Sequence, residues 1–532
     1  MSKFQKIVLL LIIIAATFLR FSKLSENPPG LYWDEAVIGY DAYSILNTAH
    51  DHHGRLLPLF FESFGDWKLP VYIYLDTLVI FFFGLNEFAV RFPSAFFGTL
   101  TIFVFFLLIQ KLTKNTSLAL LASFFFAISP WHIQFSRAGF ESTVGLFMAI
   151  AATYFLLHAF EKQKTLFFTV SLILFTLSIY TYHAYRIFTP LLLIALIFIF
   201  RKEIKRNLSK IIVPSFICLV LLVPILFFSL SPQGRLRATS QSVFQKEEFE
   251  RQDVDYNQKS KKPLRFMSRY LYKKPLYYSF VATNAYFDHF SPTFLFSNGD
   301  QIGRHSQVDM GQLYIFELPL ILASFFGLKN LNKKTKLLIL TWLLLSPVPA
   351  TIVSVTPHAN RTLQMAPMLA ALSAIGFEYI FFKIKPLFFK LVLVALLSYY
   401  FFLFLHLLFV HYPVKFSPDW QDGNRSMVHN VKKFQDKYSK VLILNNDQAY
   451  IYLLFYLKYN PQKFIEENGN KERFGKYFFI STSYDIYNKE ALKEKILYVA
   501  PSWQKVDGNN LTTIKDTGGR QVYTIWEVGG QD

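Results

Sequence analysis

Long apolar runs, broken by short basic segments, constrain this chain more than any other feature of its sequence. A bilayer hydrocarbon core of ~30 Å needs about 20 apolar residues per helix. Runs of that kind recur at roughly 5–21, 92–110, 116–132, 141–160, 165–183, 187–200, 211–230, 313–328, 336–354, 362–382 and 387–410. An α-helical polytopic membrane protein with about eleven transmembrane helices is expected. Composition agrees, because only 17% of the 532 residues are charged, against about 25% in soluble domains. One cysteine, Cys218, excludes an intramolecular disulfide. The net charge of +19 does not point to nucleic acid, since much of it sits in short loops between apolar runs. The run Ile7 to Phe21 follows Lys3 and Lys6 but lacks a small-residue cleavage site, so it is expected to be a retained first helix.

Charge asymmetry sets the expected orientation. The run Val71 to Leu85 is short and carries Asp76. If it does not span, Lys111/Lys114, Lys162/Lys164, Arg201/Lys202/Lys205/Arg206, Lys329/Lys333/Lys334/Lys336 and Lys383/Lys385 all share a side with Lys3 and Lys6. The positive-inside rule makes that side cytoplasmic. A membrane domain over 1–410 then carries two large outer loops, 22–91 and 231–312, and a short Ser129–Glu141 turn. Residues 411–532 follow as an extracytoplasmic tail. The tail mixes strand-like runs (Val441 to Leu444, Tyr477 to Ile480, Val522 to Trp526) with helix-like stretches such as Asp422 to Tyr438. It reads as a small α/β domain.

The outer segments hold the residues that could carry chemistry. Pro28-Pro29-Gly30-Leu31-Tyr32-Trp33-Asp34-Glu35 places two acids beside two aromatic rings just after the first helix. Such a group can be an interfacial aromatic belt with acids opening a surface helix. It can also hold Asp34 as a general base at the membrane face. Asp66, Trp67 and Lys68 precede the apolar run at Val71. Lys68 can snorkel to the interface or bind a lipid phosphate as a point charge. Arg91, Arg137, Arg186 and Arg361 end different helices on the same expected side. A lone arginine there is a snorkelling anchor. Four are expected to converge on a phosphate, because charge near hydrocarbon is costly and guanidinium suits bidentate phosphate binding. Glu141 is a further acid on that side, and Tyr32, Trp33, Asp66, His183, Arg304, His305 and His358 are candidate substrate contacts. No HExxH, CxxC, P-loop or GxGxxG is present. No metal site stands out by ligand spacing; the sequence calls for no cofactor and leaves a divalent metal open.

Together these residues resemble the GT-C superfamily of membrane glycosyltransferases, closest to the protein O-mannosyltransferase and aminoarabinose lipid A transferase branch. The likeness covers roughly residues 1–410. It rests on Asp34-Glu35 in a long first outer loop, Lys68-Leu69-Pro70, Arg91-Phe92-Pro93, and Ser136-Arg137-Ala138-Gly139-Phe140-Glu141, which is similar to the second acidic loop of oligosaccharyltransferases. The family usually has Lys-Pro-Pro or His-Pro-Pro where this chain has Lys68-Leu69-Pro70. The resemblance implies a polyprenyl-phosphate sugar donor and inversion at the anomeric carbon. It marks Asp34 as the base; Glu35 is expected to hold Asp34 or the loop in place, Glu141 is the runner-up as a second acid near the acceptor, and Lys68, Arg91, Arg137, Arg186 and Arg361 are expected by their charge to contact the donor phosphate. The expected partners are that donor, the bilayer, and an acceptor protein, lipid or glycan. Two other classes fit a polytopic chain: a transporter or flippase of lipid-linked glycans, and a non-catalytic scaffold. A transporter would call for mid-membrane acids and two related halves, and neither is visible.

Overall fold

The computed structural model describes residues 1–235, 274–353, 355–383, 386–444, 448–480 and 494–529. Of the expected outer loop 231–312, residues 236–273 therefore lie outside the described residues. Every apolar run of the sequence forms a helix. Among the described residues, six are long and apolar enough to cross a bilayer: Lys3–Phe21, Glu87–Thr113, Glu141–Lys162, Leu208–Leu230, Asn360–Lys383 and Leu387–Lys415. A seventh crossing is made if the bent pair Thr116–Ile128 and Pro130–Ser136 counts as one. The expected runs 165–183, 187–200, 313–328 and 336–354 give shorter helices, Thr165–Ile179, Tyr185–Ile199, Glu317–Gly327 and Lys333–Leu345. Their length falls short of about 20 residues, so a count of eleven full-length spans is not what is observed.

The chain divides into two compact units. One comprises residues 1–19, 97–135 and 141–401; the other comprises 20–96, 136–140 and 402–532. The first outer loop and the tail thus belong to a single unit. In the first unit, some buried polar side chains of the apolar helices find partners within the protein. The Ser373 hydroxyl donates to Glu317 Oε2 at 2.7 Å, and Trp342 Nε1 donates to the Gln364 carbonyl at 2.8 Å. A bilayer offers no water to do this.

The second unit begins at the end of α1 (Lys3–Phe21) and continues through the loop 22–31 into α2 (Trp33–Thr48). A hairpin of β1 (Phe61–Ser63) and β2 (Asp66–Lys68) turns through Phe64 and Gly65, both at positive φ. That is the geometry of a two-residue hairpin loop matched to strand twist. Next, α3 (Pro70–Phe83) starts with Pro70 in its first turn, where the missing N–H costs nothing. Its 14 residues are too few to span. α4 (Glu87–Thr113) comes after it. The tail builds a six-stranded sheet from β3 (Val441–Leu444), β4 (Arg473–Phe474), β5 (Tyr477–Ile480), β6 (Ile496–Pro501), β7 (Asn509–Lys515) and β8 (Gln521–Val528). Its order is β4-β5-β3-β6-β8-β7. β3 runs parallel to β5 and β6, while β8 is antiparallel to β6 and β7. Every residue of β6 is buried, as expected of a strand covered on both faces.

Candidate active site

Tyr32 is extended and caps α2, which puts Asp34 and Glu35 in the first turn. Both acids sit where the helix dipole favours negative charge. Adjacent helical residues do not share a face, and the two carboxylates part company. Glu35 is 3% exposed. Its Oε2 accepts the Tyr32 N–H at 3.1 Å and its Oε1 the Gly139 N–H at 2.8 Å. The Asp34 side chain is 44% exposed, and Oδ1 accepts from Lys68 Nζ at 2.7 Å. Among the described residues Oδ2 accepts no hydrogen bond. The hairpin delivers Lys68 to the end of β2, with its own side chain only 9% exposed.

Arg91, on the second turn of α4, is fully buried, and all five of its N–H groups are committed. Nε donates to Glu35 Oε1 at 2.9 Å and Nη2 to Glu35 Oε2 at 3.1 Å. Nη1 donates to the carbonyls of Leu24 at 3.0 Å and Pro28 at 2.8 Å. The last Nη2 proton goes to the Gly30 carbonyl. A guanidinium has five donors, so none is left for a phosphate, contrary to the expectation from charge placement. Arg137 is also buried, and its Nη2 donates to the carbonyls of Ser22 at 2.7 Å and Asn27 at 2.8 Å. Both arginines tie down the loop 22–30 that leads into α2.

An aromatic floor lies beside the Asp34–Lys68 pair. The Tyr32 and Trp33 ring centroids are 5.0 Å apart, Trp33 and Phe64 6.0 Å, and Phe64 and Tyr450 6.1 Å. The tail reaches the start of α2, where Gln421 Oε1 accepts the Trp33 N–H at 3.0 Å and the Tyr452 hydroxyl at 2.6 Å. Asp66 is taken up locally, with Oδ1 accepting the Trp67 N–H at 2.8 Å. Two turns further along α2, Asp41 Oδ1 and His52 Nδ1 lie 2.6 Å apart, both buried. Burial would push the His52 imidazole down, but the Asp41 carboxylate and its hydrogen bond hold it above the ordinary histidine value. Burial, with His52 beside it, lowers His53 to about 4.

The remaining candidates belong to the other unit. Glu141 opens the helix Glu141–Lys162 and is partly buried. His183, Arg186, Arg304 and Arg361 are partly buried, while His305 and His358 are buried and only 5.0 Å apart between ring centroids. The five expected phosphate cations are therefore divided: Lys68, Arg91 and Arg137 in one unit, Arg186 and Arg361 in the other.

The family model for dolichyl-phosphate-mannose-protein mannosyltransferase matches residues 68–228. YkcB of Bacillus subtilis (strain 168), a candidate mannosyltransferase, is 27% identical over 164 residues, 30% of this chain. The chain spans 21% of that relative's length in the match. ArnT from Cupriavidus metallidurans, in a crystal structure bound to undecaprenyl phosphate, superposes over 97% of both chains with a TM-score of 0.57 at 12% identity. Its fold is the GT-C fold. The Archaeoglobus fulgidus oligosaccharyltransferase, tethered with an acceptor peptide, agrees in fold over 94% of this chain and 69% of its own, with a TM-score of 0.52 at 14% identity. The likeness to ArnT includes the tail, which the sequence resemblance left out.

The sequence left several residues of these units unflagged. Gln421 was unremarkable because its role depends on a partner 388 residues away. Asp41 and His52 carry no motif spacing. Asp300, which lies beside His305, is part of an ordinary-looking Asn298-Gly299-Asp300 turn.

Proposed function

We propose that this chain is a glycosyltransferase that moves a sugar from a polyprenyl-phosphate donor to an acceptor hydroxyl at the outer membrane face, with inversion. One observation carries the reading. Asp34 is a half-exposed carboxylate with a free oxygen, fixed in the first turn of α2 by Lys68, while its neighbour Glu35 is consumed by Arg91 and two backbone amides. Asp34 Oδ2 takes the acceptor hydroxyl proton as the new C–O bond forms at the anomeric carbon. The bond from that carbon to the phosphate oxygen breaks, and the electron pair leaves with the lipid phosphate, which gains one negative charge. A phosphate leaving group needs a cation more than a general acid, and Lys68 supplies one.

Glu35, Arg91 and Arg137 act as positioning residues that hold the loop before α2. Arg186 and Arg361 remain proposed phosphate contacts on the charge argument alone, and Glu141, His183, Arg304, Tyr32, Trp33 and Asp66 remain candidate substrate contacts. The Lys/Arg asymmetry supports a cytoplasmic N-terminus and an extracytoplasmic tail. The test is turnover at saturating polyprenyl-phosphate sugar, with products read by mass spectrometry. Removing a positioned base costs about 10²–10⁴-fold, so Asp34→Asn should lose turnover to that extent while retaining the wild-type melting profile. Near-normal turnover in Asp34→Asn alongside a dead Glu141→Gln would move the base to Glu141.

A further inference from the structure

Far from the acid pair in sequence, three buried side chains bring their ligand atoms together. Asp300, His305 and His358 each offer one such atom, all within 4.8 Å of one another. Asp300 Oδ2 and His305 Nδ1 lie 3.3 Å apart. That is the edge length of a tetrahedron whose ligands stand about 2.0–2.2 Å from a zinc ion. His358 Nδ1 is buried and has no hydrogen-bond partner among the described residues. A buried ring nitrogen without a partner costs free energy, and a coordinated cation would remove that cost.

Hydrogen bonds fix the Asp300 carboxylate and the backbone that carries the two imidazoles. Asp300 Oδ1 accepts the Ile302 N–H at 2.9 Å and Oδ2 accepts the Ala359 N–H at 2.7 Å. The His358 backbone N–H donates to His289 Nε2 at 3.0 Å, and His289 Nδ1 sits 2.7 Å from the Ala285 carbonyl. Gln312 Nε2 holds the His305 carbonyl at 3.0 Å. An outer ring of hydrogen bonds that orients ligands is the usual companion of a metal site. Two imidazoles and one carboxylate suit zinc and its neighbours in the first transition row, and exclude the all-oxygen preference of calcium or magnesium.

We propose that Asp300, His305 and His358 bind one divalent transition-metal ion of the zinc class, with water in the fourth position. The ion clips the turn at Asp300–His305 to the segment at His358, 53 residues later. Both segments carry an arginine, Arg304 and Arg361, so the clip also sets the backbone from which those side chains extend. The proposal does not depend on the transfer reaction.

Full-length chain in detergent, stripped with a chelator, is titrated with zinc and separately with cobalt. One zinc per chain is expected, with a cobalt absorption spectrum of tetrahedral nitrogen and oxygen ligation. His358→Gln and Asp300→Asn should each weaken binding by at least about 10-fold, since even outer-ring changes cost that much. A His406→Gln/His411→Gln variant serves as control, because those two exposed rings also approach, with Nε2 atoms 3.1 Å apart. It should bind as the wild type does. Absence of stoichiometric binding, or binding lost in the control but kept in His358→Gln, overturns the site. Should the ligand variants fail to fold, X-ray absorption of the zinc-loaded wild type decides. Two imidazoles support the site, and any other number refutes it.

Discussion

Arg91 gives Glu35 two of its five N–H groups, Nε to Oε1 at 2.9 Å and Nη2 to Oε2 at 3.1 Å, and the other three to backbone carbonyls. Both charges are buried, so removing either partner leaves the other uncompensated, at about 3–5 kcal/mol. Arg91→Met is expected to lower the melting midpoint in detergent sharply, without raising the donor KM of the fraction that stays folded. Arg91→Lys should do the same, because an ammonium cannot reproduce the fork. A raised donor KM with unchanged melting would return Arg91 to the phosphate.

Lys68 is expected to show the opposite signature. A charge-assisted contact is worth about 1.5–3 kcal/mol, so Lys68→Ala should weaken donor use by roughly 10-fold or more and leave the fold in place. Since Lys68 also fixes Asp34, Asp34→Asn/Lys68→Ala should cost less than the product of the two single effects. Strict multiplication in steady-state kinetics would mean the two residues act independently.

Gly30 marks a close approach. A Cβ there would overlap the Trp420 carbonyl oxygen and come within 2.9 Å of the Asp422 Cα. Gly30→Ala should therefore destabilise by about 1–3 kcal/mol, as overpacking does. The effect should appear as faster amide exchange over the loop 22–31 and around Trp420. Exchange unchanged in both segments would show that the backbone yields without cost.

The Asp41–His52 pair gives a pH dependence of defined sign. The folded value of His52 lies above 6.5. Its contribution is fully present below pH 6.5 and is lost as pH rises through that folded value. The melting difference between wild type and His52→Asn should be largest in acid and narrow towards alkaline pH. A difference that widens as pH rises would contradict the pairing.

The sequence made the helices legible because each apolar run carries its own length and periodicity. It did the same for the tail strands Val441–Leu444 and Tyr477–Ile480, whose boundaries fall where expected. Asp34, Glu35 and Lys68 were visible as charges in an apolar setting. The partners of Arg91 were not, because an arginine at a helix end reads the same whether it faces a phosphate or the carbonyls of Leu24, Pro28 and Gly30. Asp300 escaped notice because an Asp and a His five residues apart are common in any sequence and His358 is remote from both. The runs 165–183, 313–328 and 336–354 read longer than their helices, since the runs continue past the helix ends into turns such as Tyr180 to Ala184.

The hold of Gln421 on Trp33, and of Trp420 against Gly30, sets an order of events during synthesis. The unit containing both is assembled from residues 20–96, 136–140 and 402–532. Some 300 residues must be made between the first segment and the last. At ~5–20 residues per second, that is a wait on the order of 15–60 s, during which Asp34 and Lys68 exist without the tail. The acid pair is therefore translated long before residues 402–532, and a nascent chain cannot complete this unit until those residues have left the ribosome.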